Sequence, residues 1–442
     1  FGTYPQNAQK MAEDAVLLAD PLVNYSMFDA DGNGWVDGVF IVHSGTGYEQ
    51  TGDPNDIHSH MWSLRTSQYL DGVTISSYTT EPEENSATGL STMGVYAHEY
   101  GHFIGLPDLY DGDYSSSGIG DWSLMAGGSW NIGGRKPAFM DAWCKKELGF
   151  LTLTNITAGA ENVAIPSSYH EPAAYRLWTN GAVGSQYFVI ENRRRTGYDV
   201  GIPGSGLLIY HIDETIGGNW DENHPKVAVE QADGEFELES GANQGDGGDV
   251  WSAGTKADFD DLSTPNTRAY GGAVTGTAVW TISASDSVMT AGFDIALTRP
   301  RFQLLSGVFS DAAFGNGNGI VETGERMTFT FTLQNAWATA TNVTGTLTAD
   351  NNDIVFITPT VNIGAVAGSG GTGGNALNPI IFDVPADFSP CIDSFFLTVD
   401  ADQLGAERTY GFELHVGGPE VLLVDDDNGA NWNQAYEQAL FG

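Results

Sequence analysis

The sequence predicts an α+β protein built in series. A mixed core carrying one metal-binding helix comes first, a β-rich segment follows, and an antiparallel β-sandwich comes last. Three observations lead there: the stretch His98-Glu99-Tyr-Gly-His102-Phe-Ile-Gly105-Leu-Pro107-Asp108, a change of character near Leu151, and the alternating segments that fill residues 302–417.

The first observation organises the rest. Histidines four apart on a helix project from the same face, one turn above the other, and two neutral imidazoles so placed can share a divalent metal. Glu99 emerges beside that metal, where a general base for a metal-activated water stands. Gly105 suits the left-handed turn that ends a helix, and Pro107 keeps the helix from resuming. That turn can swing Asp108 back as a third ligand, leaving the open coordination of a catalytic zinc rather than the closed set of a structural one. Other carboxylates downstream, Asp111, Asp113, Asp121 and Glu147, are alternatives for that place; Asp108 is preferred from its spacing. Asp121-Trp-Ser-Leu-Met125-Ala-Gly-Gly follows. A methionine in a Gly-flanked turn can pack under a ligand set without competing for the metal, as the Met-turn of zincin peptidases of the metzincin class does.

With these residues in view, the chain resembles the M6 family of bacterial secreted metallopeptidases, the immune inhibitor A group. The resemblance rests on the run from Ala97 through Asp111, on Trp122-Ser-Leu-Met125, and on the blocks around residues 187–193 and 204–214, and it covers about the first 300 residues. It implies a zincin/metzincin-like catalytic core, zinc on His98 and His102, Glu99 as catalytic base, Met125 as the Met-turn residue, protein or peptide substrates, and secretion.

The composition fits that reading. The 442 residues are 41% hydrophobic, enough for packed cores in two to four domains. Asp and Glu number 57 against 17 Lys and Arg, a net charge of −40, which argues against nucleic acid or anionic membranes as partners. It suits a soluble exported protein, calcium binding or a saline habitat. No apolar run approaches the length of a membrane span, so no membrane insertion is expected, and a monomer is. Cys144 and Cys391 fall in different expected domains, so no disulfide is expected between them. With no initiating Met and no signal peptide, the chain reads as a processed or truncated piece of a longer precursor.

Taken in order, residues 5–20 have helical spacing. The 29–37 loop matches the first part of an EF-hand calcium loop, with Asp29, Asp31, Asn33, the Trp35 carbonyl and Asp37 as oxygen ligands; Phe40 stands where the closing Glu would be. Residues 36–43 read as a buried strand. The His58 and His60 pair is assigned to packing or to the substrate cleft. Residues 73–80 read as a strand, and the resemblance implies that it lies at a sheet edge, where an extended peptide adds by main-chain hydrogen bonds. Ser91 or Thr92 caps the zinc helix, and a helix near residues 137–149 closes the core, which spans 1–150.

Residues 151–298 are a β-rich domain. His211, in one of its strands, is read as structural. Its Gly-rich acidic stretch offers Asp246, Asp249 and Asp258 as a second calcium site, balanced against a plainly solvated loop. Residues 299–417 form an immunoglobulin-like sandwich, and 418–442 the start of a further domain. The function expected is zinc-dependent endopeptidase; the alternative is a catalytically vestigial, calcium-stabilised surface or binding protein.

Overall fold

The computed structural model describes residues 2–85, 89–404 and 407–417, so the expected start of a further domain at 418–442 lies outside the described residues. The chain divides into two compact units, one ending at Ala296 and one beginning at Leu297. Both are rich in β-structure; among the described residues the helices are few, short and confined to the first unit.

The first unit opens with the helix Ala8–Ala19, whose Asn7 side chain accepts from Lys10 N at 3.1 Å and so satisfies one of the orphan donors of its first turn. Residues 5–7 of the expected helix instead precede it, with Gln6–Asn7 paired to Gly2–Thr3. The helix packs Ala12 and Val16 against Leu64, Ile75 and Tyr78 of a mixed sheet. In that sheet the long strand Val73–Asn85 lies between Phe40–Thr46, parallel to it, and His60–Leu70, antiparallel. Two expectations are corrected here. The 73–80 segment is not an edge: His60–Leu70 pairs along one side of it, and Gly34, Val36 and Phe40–Thr46 take the other. The strand expected at 36–43 runs at Phe40–Thr46, and its residues alternate between half-buried and exposed, so it is not buried on both faces.

The helix Met93–Phe103 follows, then a succession of turns to residue 141. Here the helix expected over 137–149 shrinks to Ala142–Glu147. Asp141 starts it, accepting from Cys144 N at 3.0 Å, and Pro137 stays outside. Beyond residue 150 come a five-stranded sheet centred on the antiparallel pair Gln186–Arg193 and Gly206–Asp213, and a three-stranded sheet formed by Ala160–Pro166, Ala278–Trp280 and Val288–Asp294. The paired strands are buried along both faces, which explains their continuous apolar runs. One face shares a core with Leu109, Trp122, Leu124, Met125 and Trp143, so segments on both sides of residue 150 are packed together. His211 does not line the cavity beside the helix Met93–Phe103; its Nδ1 lies 3.2 Å from Glu230 Oε1 and its ring is stacked on Tyr270.

Within this core Arg193 is fully buried and satisfied. It donates to both carboxylate oxygens of Asp199, at 2.9 and 3.0 Å, and to Trp122 O at 2.9 Å. Its rigid fork ties the β-sheet to the turn that carries Met125.

The second unit holds two antiparallel sheets. One contains Phe302–Ser310, Arg326–Asn335 and Ile380–Asp383; the other contains Ala340–Ala349, Cys391–Asp400 and Arg408–Val416. Phe329, Phe331 and Phe382 of the first and Leu347, Phe395 and Leu397 of the second fill one core. Cys144 is buried and Cys391 exposed, and both are free thiols.

A buried carboxyl makes the sheet of the first unit pH-sensitive. Glu81 is inaccessible to solvent on the central strand, and burial pushes its carboxyl up to about 8, with Thr79 opposing and the Glu99 and Glu49 carboxylates adding to the rise. Its folded value is raised, so between about pH 4.5 and 8 the folded chain retains a proton that the unfolded chain has released, and stability falls as pH rises through that window. Glu81→Gln removes this term. Denaturant unfolding at pH 5 and pH 8 should show the wild type losing a few kcal/mol more than the variant, on the order set by one strongly shifted carboxyl; equal pH slopes would contradict it.

Candidate metal centre

The helix Met93–Phe103 sets the geometry. Thr92 occupies its N-cap position, but its hydroxyl donates to Gly133 O at 3.0 Å rather than capping the first turn. The helix stops at Phe103, and Gly105 adopts φ +102, where a Cβ would be strained. Leu106 N donates back to Gly101 O at 3.0 Å, and the chain reverses so that Asp108 returns beneath the helix.

The result is a triangle of ligand atoms. His98 Nε2 and His102 Nε2 are 3.2 Å apart, and Asp108 Oδ1 lies 3.1 Å from the first and 3.0 Å from the second. The other ring nitrogens fix what these atoms can offer. His98 Nδ1 donates to Leu124 O and His102 Nδ1 to Leu106 O, each at 2.8 Å; a carbonyl only accepts, so each Nδ1 carries its proton. With neutral rings, both Nε2 lone pairs and a carboxylate oxygen then point at one spot. Nothing but a cation or added protons balances that arrangement, and edges of 3.0–3.2 Å suit ligands held about 2.0–2.2 Å from a small ion. The donor set therefore fits zinc. Burial works against a charge on His102, yet the hydrogen bond and charge of Asp108 raise its pKa, while Asp108, despite its burial, is held below the usual carboxylate range by the two imidazoles.

Glu99 is nearly buried on the same helix, and burial pushes its carboxyl upward, with His98 and His102 opposing. It lines a cavity of 410 Å³ together with His98, His102 and Asp108. The far wall includes Glu49 and the His58–Met61 segment, at the start of the edge strand His60–Leu70. Among the described residues, the edge strand beside the cavity is thus His60–Leu70, not the 73–80 segment. His60 bonds Tyr78 OH at 2.9 Å through Nε2, so the His58 and His60 pair contributes to the cleft wall as well as to packing.

Met125 is buried, with its sulfur against the helix at Gly101, between the two histidines; a Cβ on Gly101 would come within 2.4 Å of Met125 Sδ. The backbone of the same turn supplies Leu124 O to His98. Tyr110, which spacing alone did not single out, stacks on His98 with ring centroids 6.1 Å apart and lines the cavity. Gln244, from the loop far down the chain, also lines it, and nothing local in the sequence marks that approach. Among the alternative carboxylates, Asp111 accepts from Ser115 and Ser116 and secures the turn after Asp108. Asp113 accepts from Ser115 N, Asp121 is pushed up to about 6 by burial, and Glu147 pairs with Lys146.

In the 29–37 loop, Asp29, Asp31 and Asp37 bring carboxylate oxygens within 4.8 Å of one another. Asn33 Oδ1 accepts from Trp35 N, and Gly32 and Gly34 take the left-handed conformations the tight turn requires. Of the second acidic group, Asp246 and Asp249 come together, but their third member is Asp233. Asp258 is instead an acceptor for Thr281 N and lies outside that group.

Comparison with known proteins agrees with the resemblance drawn from the sequence. Residues 24–151 match the immune inhibitor A peptidase M6 catalytic domain. The chain is 33% identical over 158 residues to immune inhibitor A of Bacillus thuringiensis subsp. alesti, covering 30% of this chain and 22% of that protein. It is 32% identical over 176 residues to pre-pro-metalloprotease PrtV of Vibrio cholerae serotype O1 (strain M66-2), covering 32% of this chain and 18% of that protein. The matched segment thus spans about a fifth of these relatives, at 22% and 18% of their lengths. A solved structure of Spo0M, a sporulation control protein from Bacillus subtilis, aligns at 11% identity over 27% of this chain and 49% of that one, with a TM-score of 0.18 too low to support any argument.

The contact beneath the helix yields a direct test. Gly101→Ala improves helix propensity by about 0.5–1 kcal/mol, but its methyl must displace a buried sulfur, at a cost of about 1–3 kcal/mol. The variant should melt below the wild type. A raised melting temperature would show that Met125 does not lodge against Gly101.

Proposed function

We propose, from the match of residues 24–151 to the immune inhibitor A peptidase M6 catalytic domain, that this chain is a zinc-dependent endopeptidase acting on protein or peptide substrates outside the cell. The observation that carries the reading is the convergence of His98, His102 and Asp108 beside a buried Glu99 in one cavity. His98, His102 and Asp108 would hold the zinc, which when bound would supply Lewis acidity toward a carbonyl and a water. Glu99 accepts that water's proton and delivers it to the departing amine, a task for which an upward-shifted carboxyl is suited. An extended substrate lies along the His58–Met61 segment and pairs with the free edge it leads into. The Leu124 and Leu106 carbonyls hold the ligand rings in one tautomer, and Met125 fills the space beneath them.

In the same proposal, residues 1–150 form a zincin-like core, 151–298 a β-rich domain associated with it, and 299–417 an immunoglobulin-like sandwich. The 29–37 loop takes calcium, for which three carboxylates and a main-chain carbonyl are the matching hard donors. Secretion follows from the acidic surface together with the pre-pro form named for the Vibrio relative.

Glu99→Gln keeps the shape of the base and removes its proton affinity. Casein hydrolysis should fall about 100- to 10,000-fold, the range general bases contribute, while zinc content measured on the same sample stays at the wild-type level. Wild-type turnover in the variant would remove Glu99 from the mechanism.

A further inference from the structure

The segment between Lys226 and Lys256 contains seven Asp and Glu residues and no Lys or Arg. Three of its carboxylates, those of Asp233, Asp246 and Asp249, present oxygens within 4.8 Å of one another. Asp233 and Asp246 are exposed, whereas Asp249 has no accessible surface. Its Oδ2 accepts from Trp122 Nε1 at 2.9 Å and from Asp246 N at 3.0 Å; its Oδ1 is buried with no hydrogen-bond partner. A buried carboxylate oxygen without a donor is costly, and two further carboxylates beside it increase the cost. Gly248 completes a cradle at this point: a Cβ there would come within 2.0 Å of Asp233 Oδ2 and 3.0 Å of Asp246 Oδ1.

We propose that Asp233, Asp246 and Asp249 bind one divalent cation, calcium by their all-oxygen donor set, and that this ion braces the turn carrying Met125. The oxygen count and the half-exposed loop suit a cation that tolerates irregular coordination and completes its shell with water or carbonyl groups. Burial pushes the Asp249 carboxyl up to about 6, against the hydrogen bonds from Trp122 and Asp246, and the carboxylates of Asp246 and Asp233 add to that effect. A bound cation reverses this balance.

The route from the ion to the metal centre is short. Asp249 holds the Trp122 indole, Gln244 O accepts from Asp121 N at 2.8 Å, and Leu238 O accepts from Ser117 N at 2.8 Å. Trp122 and Asp121 begin the turn whose Leu124 carbonyl orients His98. The loop that closes over the cation is therefore the backing of that turn. The 29–37 loop belongs to a different part of the unit and makes none of these contacts.

The test compares the wild type with Asp233→Asn/Asp246→Asn, two exposed and nearly isosteric changes, and with Gly248→Ala, which fills the cradle without altering charge. Zinc is kept saturating throughout. Calcium titration calorimetry should show each variant binding one ion per chain fewer than the wild type. The melting temperatures should cross: in calcium-free buffer the double variant is the more stable, because repulsion is relieved, and in calcium the wild type is. Calcium should also slow amide exchange at Asp121 and Trp122 roughly tenfold in the wild type but not in the double variant, as expected where a ligand closes a local opening. Unchanged stoichiometry in the variants, or a double variant more stable with and without calcium, would overturn the site. Exchange at Asp121 and Trp122 indifferent to calcium would overturn the link to the Met125 turn.

Discussion

The structure depends on one electrostatic constraint: three electron-pair donors held within 3.2 Å of one another. Left alone, two neutral imidazoles and a carboxylate in that arrangement repel or fill with protons. Holding them takes rigid backing, and most of the first unit supplies it. The helix fixes the two histidines, the Gly105 turn returns Asp108, and the Leu106 and Leu124 carbonyls select the ring tautomers. Trp122 is gripped at its carbonyl by Arg193 and at its indole by Asp249, so the turn below the histidines is tied both to the β-sheet and to the acidic loop.

This arrangement explains why the five-stranded sheet after residue 150 shares a core with the segment that follows the two histidines. A helix of eleven residues with a narrow apolar face buries little surface of its own. The paired strands Gln186–Arg193 and Gly206–Asp213 add the apolar layer on which Leu109, Trp122 and Met125 rest. The buried charges of Glu191 and Arg193 on these strands are matched: Arg193 meets Asp199 and Glu191, and Lys145 meets Glu191.

The site was legible in the sequence where periodicity or a short turn governs position. His98 and His102 follow from the helical repeat, and Asp108 from glycine and proline placed just past the helix end. Met125 was legible through its Gly-flanked turn. Contacts that depend on how distant segments pack were not. Asp233 joins Asp246 and Asp249 from across a loop with no regular period, while Asp258 shares their composition but continues to a different sheet edge near Thr281. The same holds for the fold. The apolar runs located the strands, but alternation does not give sheet order; the edge position of the 73–80 segment came from the resemblance alone, and the segment lies in the centre. The helix expected at 137–149 was too long because Asp141 competes as a start signal inside it.

The measurement that bears most directly on the central claim is zinc content per chain, taken on wild type, Asp108→Ala and Asp121→Asn purified alike. The account predicts one zinc in the wild type and in Asp121→Asn, and loss of zinc from Asp108→Ala with the fold intact by circular dichroism. Full zinc occupancy in Asp108→Ala, or its loss from Asp121→Asn, would contradict the assignment of the three converging side chains as the metal's ligands.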